Sequence, residues 1–180
     1  MTPRQLEEYR ALRDTVRERG TARVWVFLVG IMGWAIVAAA TAAYLTVPIY
    51  TFLPLLILAS TFEAVFSLHV AVERIGRYIQ VFLETDGNGW EHVAMAVGPP
   101  LKGTRADPLF TACFVVADAL NVVPALLAQP LPVERNVVLG AHAVLLVRIL
   151  VARYTAARQR AADLERFTKL KSGPTEHARS

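Results

Sequence analysis

The segment from Pro48 to Glu84 decides the fold, and it reads PIYTFLPLLILASTFEAVFSLHVAVERIGRYIQVFLE. Its first half, Ile49 to Ala71, is almost entirely apolar. Its second half is rich in charge and contains no helix breaker stronger than Gly76. With a rise of about 1.5 Å per residue, one helix of this length measures roughly 55 Å, whereas the hydrocarbon core of a bilayer is about 30 Å thick. The pattern therefore predicts a helix that spans a membrane and projects beyond it.

The composition extends this prediction to the whole chain, because 54% of its 180 residues are hydrophobic. The apolar residues fall into runs of about 20, which is the length that a membrane-spanning helix needs. We predict an all-α, polytopic membrane protein, a four-transmembrane-helix bundle with cytoplasmic helical extensions. The predicted spans are residues 24–47, 49–72 (extended to 84), 109–128 and 133–152. They form one membrane domain, residues 24–152, with no room for a second globular domain.

Two polar ends flank this domain. Residues 1–23 are predicted to form a cytosolic amphipathic helix, which begins with a capping box at Thr2 and Gln5 and breaks or bends at Gly20. Its apolar stripe could dock on lipid or a partner, or pack on its own neighbours. Residues 153–180 are predicted to form a cytosolic tail, helical at first and then disordered. Between the second and third spans, Trp90 to Val97 is predicted to form a short amphipathic helix.

The basic residues predict the orientation of the chain. Of the 19 lysines and arginines, six precede Val24, four lie between Glu73 and Pro108, eight lie from Arg148 onward, and Arg135 alone falls in an outer turn. Because cytoplasmic loops carry the excess of lysine and arginine, both termini are predicted to be cytoplasmic. We expect the membrane to be a bacterial cytoplasmic (inner) membrane.

Ionisable side chains inside the predicted spans are the first candidate site. Such groups are costly in hydrocarbon, so they are expected to face the bundle and to pair. Counted from the outer turns, Asp118 and His142 lie at similar depths of about 14–15 Å, and Asn121 lies one helical turn from Asp118. Glu63 and Arg148 match at about 21–22 Å. The sequence therefore predicts two pairs, which either lock the helices together or form part of a proton or ion path.

A polar stripe on the extended second helix is the second candidate site. Its members recur every three or four residues, so that neighbours along one side of the helix can touch; they are His69, Glu73, Arg77, Gln80 and Glu84. One interpretation is a helix stapled to the N-terminal and C-terminal cytosolic helices. The other is a docking face for another subunit or for a second copy of the chain.

A ridge of small residues is the third candidate surface. Ala35, Ala39 and Ala43 recur every four residues in the first span, and such ridges allow close helix approach in membranes. For metals, His69 and Glu73 lack the further carboxylates and Glu-x-x-His spacing of di-iron bundles, so we expect no metal. We expect no other cofactor either.

These features favour a non-catalytic function. We expect an integral membrane interaction module that self-associates or serves as a subunit of a larger membrane complex. The alternative is a small oligomeric channel, or a proton- or ion-coupled transporter, that uses the intramembrane ionisable residues. A membrane enzyme comes third, since the sequence shows no catalytic constellation. We expect lipids and membrane subunits as partners and no nucleic acid, because orientation explains the basic residues.

Overall fold

The computed structural model describes residues 1–43, 48–84, 87, 89–97, 108–127 and 131–173. Within these ranges the ordered elements are all helical, which confirms the predicted all-α class. The helices are α1 (Pro3–Ala42), α2 (Phe52–Tyr78), α3 (Trp90–Val97), α4 (Pro108–Leu127) and α5 (Pro132–Ser172). A short 3-10 turn, Pro48–Thr51, precedes α2, and a π-helical turn, Ile79–Leu83, continues it.

Four of these helices are long and apolar enough to cross a membrane, namely α1, α2 with its flanking turns, α4 and α5. α1 packs along α2, while α5 contacts both α2 and α4. The core lies where α2, α4 and α5 meet, because these helices supply its fully buried side chains, among them Leu58, Phe114 and Ile149. Side chains of α1, including Phe27 and Trp34, pack against this core from one side.

The first and last helices are longer than the predicted spans. α1 has 40 residues and begins with the predicted capping box, in which Thr2 and Gln5 bond reciprocally. The predicted break at Gly20 is wrong, because α1 continues through that residue. A Cβ at Gly20 would meet nothing within 4 Å, so no neighbour forces a bend there. α5 has 41 residues and joins the fourth span to the helical part of the tail.

The polar ends of α1, α2 and α5 lie on the same side of the bundle. The Tyr78 hydroxyl donates a hydrogen bond to Glu8, with 2.7 Å between the oxygens. Arg74 Nε donates to Asp163 Oδ2 at 2.9 Å, which joins α2 to α5. Lys171 Nζ donates to the carbonyl oxygen of Val81 at 2.6 Å. These contacts hold the three extensions together as a polar helical layer beyond the apolar segments.

The outer surface of the apolar segments carries large hydrophobic side chains. On α1 it exposes Trp25, Val29, Met32 and Ile36, and α4 and α5 have similar exposed rows. A soluble protein rarely exposes so much contiguous apolar surface, whereas acyl chains solvate it without cost. This surface agrees with the four candidate spans.

One predicted feature, the disordered end of the tail, falls outside the described residues from residue 174 onward. The predicted helix from Trp90 to Val97 is confirmed as α3. The second helix extends beyond the predicted apolar segment as far as Leu83, and its last turn, Ile79–Leu83, has π-helical geometry.

Candidate functional site

The structure brings Asp118 of α4 and His142 of α5 together inside the bundle. His142 Nδ1 lies 2.8 Å from Asp118 Oδ1, and only 5% and 6% of the two side chains are exposed. The other ring nitrogen of His142, Nε2, is buried without a hydrogen-bond partner among the described residues. Because Asp118 supplies an acceptor to Nδ1, the pair satisfies one polar end of each buried residue and ties α4 to α5.

Asn121 lies one turn from Asp118 but makes a different contact. Its Nδ2 donates a hydrogen bond of 3.0 Å to the backbone carbonyl oxygen of Thr51. Thr51 ends the 3-10 turn and is the N-cap residue of α2. Asn121 therefore links α4 to the start of α2, so the buried polar groups together connect three helices.

Glu63 of α2 and Arg148 of α5 also meet, as an ion pair on the outside of the bundle. Arg148 Nε lies 2.7 Å from Glu63 Oε1, and Arg148 Nη2 donates to Glu63 Oε2 at 2.8 Å. The guanidinium also lies 5.6 Å and 4.9 Å from the ring centroids of Phe62 and Phe66. The expectation that these charges face inward is wrong, because 50% of the Glu63 side chain and 35% of that of Arg148 are exposed.

Grooves between α2 and α5 flank this ion pair. One has a volume of about 440 Å³ and is lined mainly by apolar side chains, including Leu56 and Val144. The other has a volume of about 290 Å³ and includes Ser67, Arg74 and Gln159. Glu63 and Arg148 line both grooves. The pair therefore lies at the centre of an open surface that is apolar on one side and polar on the other.

The predicted polar stripe on α2 faces the chain's own helices. His69 lies 3.1 Å from Arg23 of α1, measured from Nδ1 to Nη1, and Glu73 is paired with Arg160 of α5. Glu84, just after the π-helical turn, is paired with Arg13 of α1 at 3.2 Å. Of the two interpretations of this stripe, the described contacts match the one in which it staples α2 to the terminal helices.

The remaining members of the stripe, Arg77 and Gln80, contact each other. Arg77 Nη1 donates to Gln80 Oε1 at 3.4 Å, and only 5% of Arg77 is exposed. Burial, together with the nearby guanidinium of Arg160, lowers the pKa of Arg77 from its ordinary value. The carboxylates of Glu73 and Glu91 oppose this shift, so they favour the charged form of Arg77.

Arg13 connects α1 to Glu84, which follows the π-helical turn, and to α3. Its Nη2 bonds to Glu84, its Nη1 bonds to Glu91 at 2.7 Å, and its Nε donates to the Tyr9 hydroxyl at 3.1 Å. Burial lowers the pKa of Arg13, but the hydrogen bonds with Tyr9 and Glu91 outweigh burial and raise it. Glu84 also accepts a hydrogen bond of 2.8 Å from the backbone N–H of Glu91, at the start of α3.

Sequence reasoning missed this network because its members are far apart in the chain. Arg13, Glu91, Arg160 and Asp163 look like ordinary charges on solvated helix faces, and no spacing rule pairs residues that are some 70 to 90 positions apart. One signal was present: Gly76 lies between the charged residues Arg74 and Arg77. A Cβ at Gly76 would lie 2.9 Å from Glu91 Oε2, so the absence of a side chain at this position leaves room for the carboxylate.

The predicted ridge of Ala35, Ala39 and Ala43 lies on the exposed side of α1. It therefore makes no close helix contact within the described chain. The close approach of α1 to α2 occurs instead at Gly30, where a Cβ would overlap the side chain of Thr61. Small residues thus occupy two faces of α1. The face with Gly30 packs against α2, and the face with the alanine ridge is exposed.

The fold and these polar pairs define an all-helical bundle with four apolar helices suited to a membrane, closed on one side by a network of ion pairs. Comparisons with protein-family models, with curated proteins and with solved structures found no match to this chain.

Proposed function

We propose that this protein is a non-catalytic integral membrane interaction module, which self-associates or serves as a subunit of a larger membrane complex. Its proposed location is a bacterial cytoplasmic membrane, with both termini in the cytoplasm. The lysines and arginines support this orientation, because most of them lie in the polar extensions. The three extensions share one side of the bundle, as that orientation requires.

The exposed ion pair between Glu63 and Arg148 carries the proposal. Counted along α2 from Ile49, Glu63 lies about 21 Å from the outer end, within a hydrocarbon core of about 30 Å. Charged groups in this region usually face protein or water, since acyl chains solvate them poorly. The mutual ion pair and the rings of Phe62 and Phe66 reduce the cost but leave both carboxylate and guanidinium edges open. A partner helix in the flanking grooves would cover them.

The open alanine ridge on α1 offers a second contact surface. Ala35, Ala39 and Ala43 are exposed, and small residues at this spacing let a second helix approach closely. The polar stripe on α2, in contrast, is occupied by Arg13, Arg160 and other residues of the same chain. Association is therefore proposed to use the apolar segments and not the polar extensions.

The test measures subunit number in lipid. The full chain carrying a fluorescent label is reconstituted in liposomes at low density, and photobleaching steps are counted for wild type, Glu63→Gln and the charge-exchanged double variant Glu63→Arg/Arg148→Glu. We expect the single substitution to weaken association and the exchange to restore it, because the exchange keeps the ion pair. Glu165→Gln is the matched control, since Glu165 forms an exposed pair with Lys169 in the cytosolic extension.

A parallel purification identifies a partner other than a second copy. The wild-type chain is isolated at native expression in mild detergent, and stable components are identified by mass spectrometry. A partner whose recovery falls in Glu63→Gln but not in Glu165→Gln supports the role as a complex subunit. A wild-type chain that is monomeric in liposomes and purifies without a Glu63-dependent partner overturns the proposal.

The second candidate function is a small oligomeric channel or a proton- or ion-coupled transporter. The buried pair of Asp118 and His142 favours it, because it places two ionisable side chains in contact inside the apolar bundle, where such groups often mark ion or proton pathways. In liposomes with a pH gradient, this function requires a flux that Asp118→Asn abolishes. No flux in the wild type, or an unchanged flux in Asp118→Asn, rules it out.

A further inference from the structure

A cavity of about 70 Å³ lies where the four apolar helices meet the polar extensions. Most of its wall is aromatic and aliphatic, with Phe62, Phe66, Phe110 and Phe114 as the largest contributors. A single buried water needs only about 10–15 Å³ on such a measure, so the cavity accepts a group of several non-hydrogen atoms. Its polar wall includes Arg23 and His69, at the ends of the first two apolar segments that adjoin the polar extensions.

Arg23 lines this cavity as a cation without a carboxylate ion pair among the described residues. Its guanidinium carbon lies 5.3 Å from the centroid of the Phe110 ring, and its Nη1 lies 3.1 Å from His69 Nδ1. Its Nε is buried and has no hydrogen-bond partner in the described part of the chain. A buried N–H of a charged group without an acceptor is costly, so the site favours a ligand that supplies one.

The neighbours of Arg23 among the described residues do not supply it with negative charge. An arginine N–H can only donate, so His69 Nδ1 is the acceptor in this contact. Nε2 of the same ring lies 3.7 Å from Glu73, whose carboxylate is already paired with Arg160. The positive charge of Arg23 therefore remains available on the cavity wall.

We propose that this cavity binds a single-chain lipophilic carboxylate, such as a long-chain fatty acid. The carboxylate accepts hydrogen bonds from Nε and an adjacent N–H of Arg23, which present the fork that suits a carboxylate. The first carbons of the chain contact Phe62, Phe66 and Phe114, and the rest extends into the bilayer. This places the charged group at the cytosolic boundary and the tail in hydrocarbon, which is the orientation that a fatty acid adopts in a membrane.

The size and shape of the cavity select against a complete phospholipid. All four apolar helices contribute to its wall, from Arg23 on α1 to Ile149 on α5. A glycerophospholipid brings two chains and a bulky headgroup, which exceed a space of about 70 Å³ between packed helices. A compact carboxylate and the first few carbons of one chain fit the same space, with the rest of the chain outside it. The site lies inside the bundle, so this inference is independent of the outer face proposed for association.

Binding of radiolabelled palmitate to the full chain, in nanodiscs of phosphatidylcholine, tests the proposal. We expect saturable binding to wild type that is weakened about tenfold to a hundredfold in Arg23→Gln, because hydrogen bonds to a charged group are lost. Arg17→Gln is the matched control, since Arg17 lies on the same helix with 77% of its side chain exposed. Its binding should equal that of wild type.

Competition and a second variant separate this site from a general affinity for lipid. Unlabelled palmitate should displace the label, whereas methyl palmitate, which lacks the charge, and phosphatidylglycerol, which has two chains, should not. Ala152→Leu, which fills the cavity from α5 while retaining Arg23, should also weaken binding. Equal binding by wild type and a folded Arg23→Gln variant, or equal displacement by methyl palmitate or phosphatidylglycerol, overturns the proposal.

Discussion

His142 Nδ1 and Asp118 Oδ1 lie 2.8 Å apart, and this contact joins α5 to α4 through side chains that are almost fully buried. The two residues are 24 positions apart in the chain and come from opposite arms of one helical hairpin. When a buried polar side chain loses its partner, its desolvation is no longer offset by a hydrogen bond, and the folded state is destabilised. The pair therefore couples the positions of both helices.

We expect a double-mutant cycle to measure that coupling. Asp118→Ala and His142→Ala should each destabilise the protein, while the double variant should cost less than the sum, with a coupling energy of about 1–2 kcal/mol. Reversible unfolding in bicelles provides the free energies. The control cycle combines Asp118→Ala with Val144→Ala, whose exposed side chain should give additive effects. Additivity in both cycles would contradict an energetic role for the pair.

The close contact of α1 with α2 should tolerate no side chain at Gly30. A Cβ there would overlap Thr61, whose buried hydroxyl also bonds to the carbonyl of Ile57 at 2.7 Å. We expect Gly30→Ala to destabilise the protein by about 1–3 kcal/mol, as overpacking does. Gly20→Ala on the same helix meets open space, so it should be neutral or stabilising by up to about 1 kcal/mol. Equal unfolding free energies for the two variants would refute this contact.

Arg13 should hold α3 against the end of α2. Arg13→Gln weakens the pairs with Glu84 and Glu91, and we expect a loss of about 1–3 kcal/mol together with faster amide hydrogen exchange in α3. Arg17→Gln removes an exposed pair with Asp14 and should change stability by less than about 1 kcal/mol. If amide hydrogen exchange in α3 changed equally in Arg13→Gln and Arg17→Gln, Arg13 would not be what holds α3 in place.

Tyr78 should reveal the contact between α1 and α2 through its titration. Its hydrogen bond to Glu8 is the main cause that raises the pKa of Tyr78 above the ordinary value of 10.0, and burial adds to it. Because the pKa of Tyr78 is higher in the folded state, its hydrogen bond to Glu8 stabilises the fold fully below the unfolded-state pKa of about 10. This stabilisation is lost as the pH rises through the folded-state pKa of Tyr78.

A phenolate absorbance titration of wild type and Tyr78→Phe isolates this group by difference. In Glu8→Gln we expect the pKa of Tyr78 to fall toward its ordinary value, since the carboxylate that holds the proton is gone. Glu7→Gln, one residue away, is the control and should leave the titration unchanged. A Tyr78 titration that is the same in Glu8→Gln and wild type would exclude the contact.

Several parts of this architecture follow from local sequence. The apolar runs predicted four long helices because a membrane-spanning helix needs about 20 consecutive apolar residues, and that need is visible in any window of the chain. The capping box at Thr2 and Gln5 involves residues three positions apart, so the sequence displays it directly. Counting from the outer turns also placed Asp118 near His142 and Glu63 near Arg148, because the helical rise is constant.

Tertiary structure alone decided which way these groups face. Helical periodicity fixes the angle between residues on one helix but not the rotation of that helix against its neighbours. Glu63 and Arg148 consequently pair on the outside of the bundle, and the alanine ridge of α1 faces outward while Gly30 makes the close contact. The ion pairs of Arg13 and Arg160 and the contact of Arg23 with His69 depend on the meeting of distant segments, which only the packing of the helices determines.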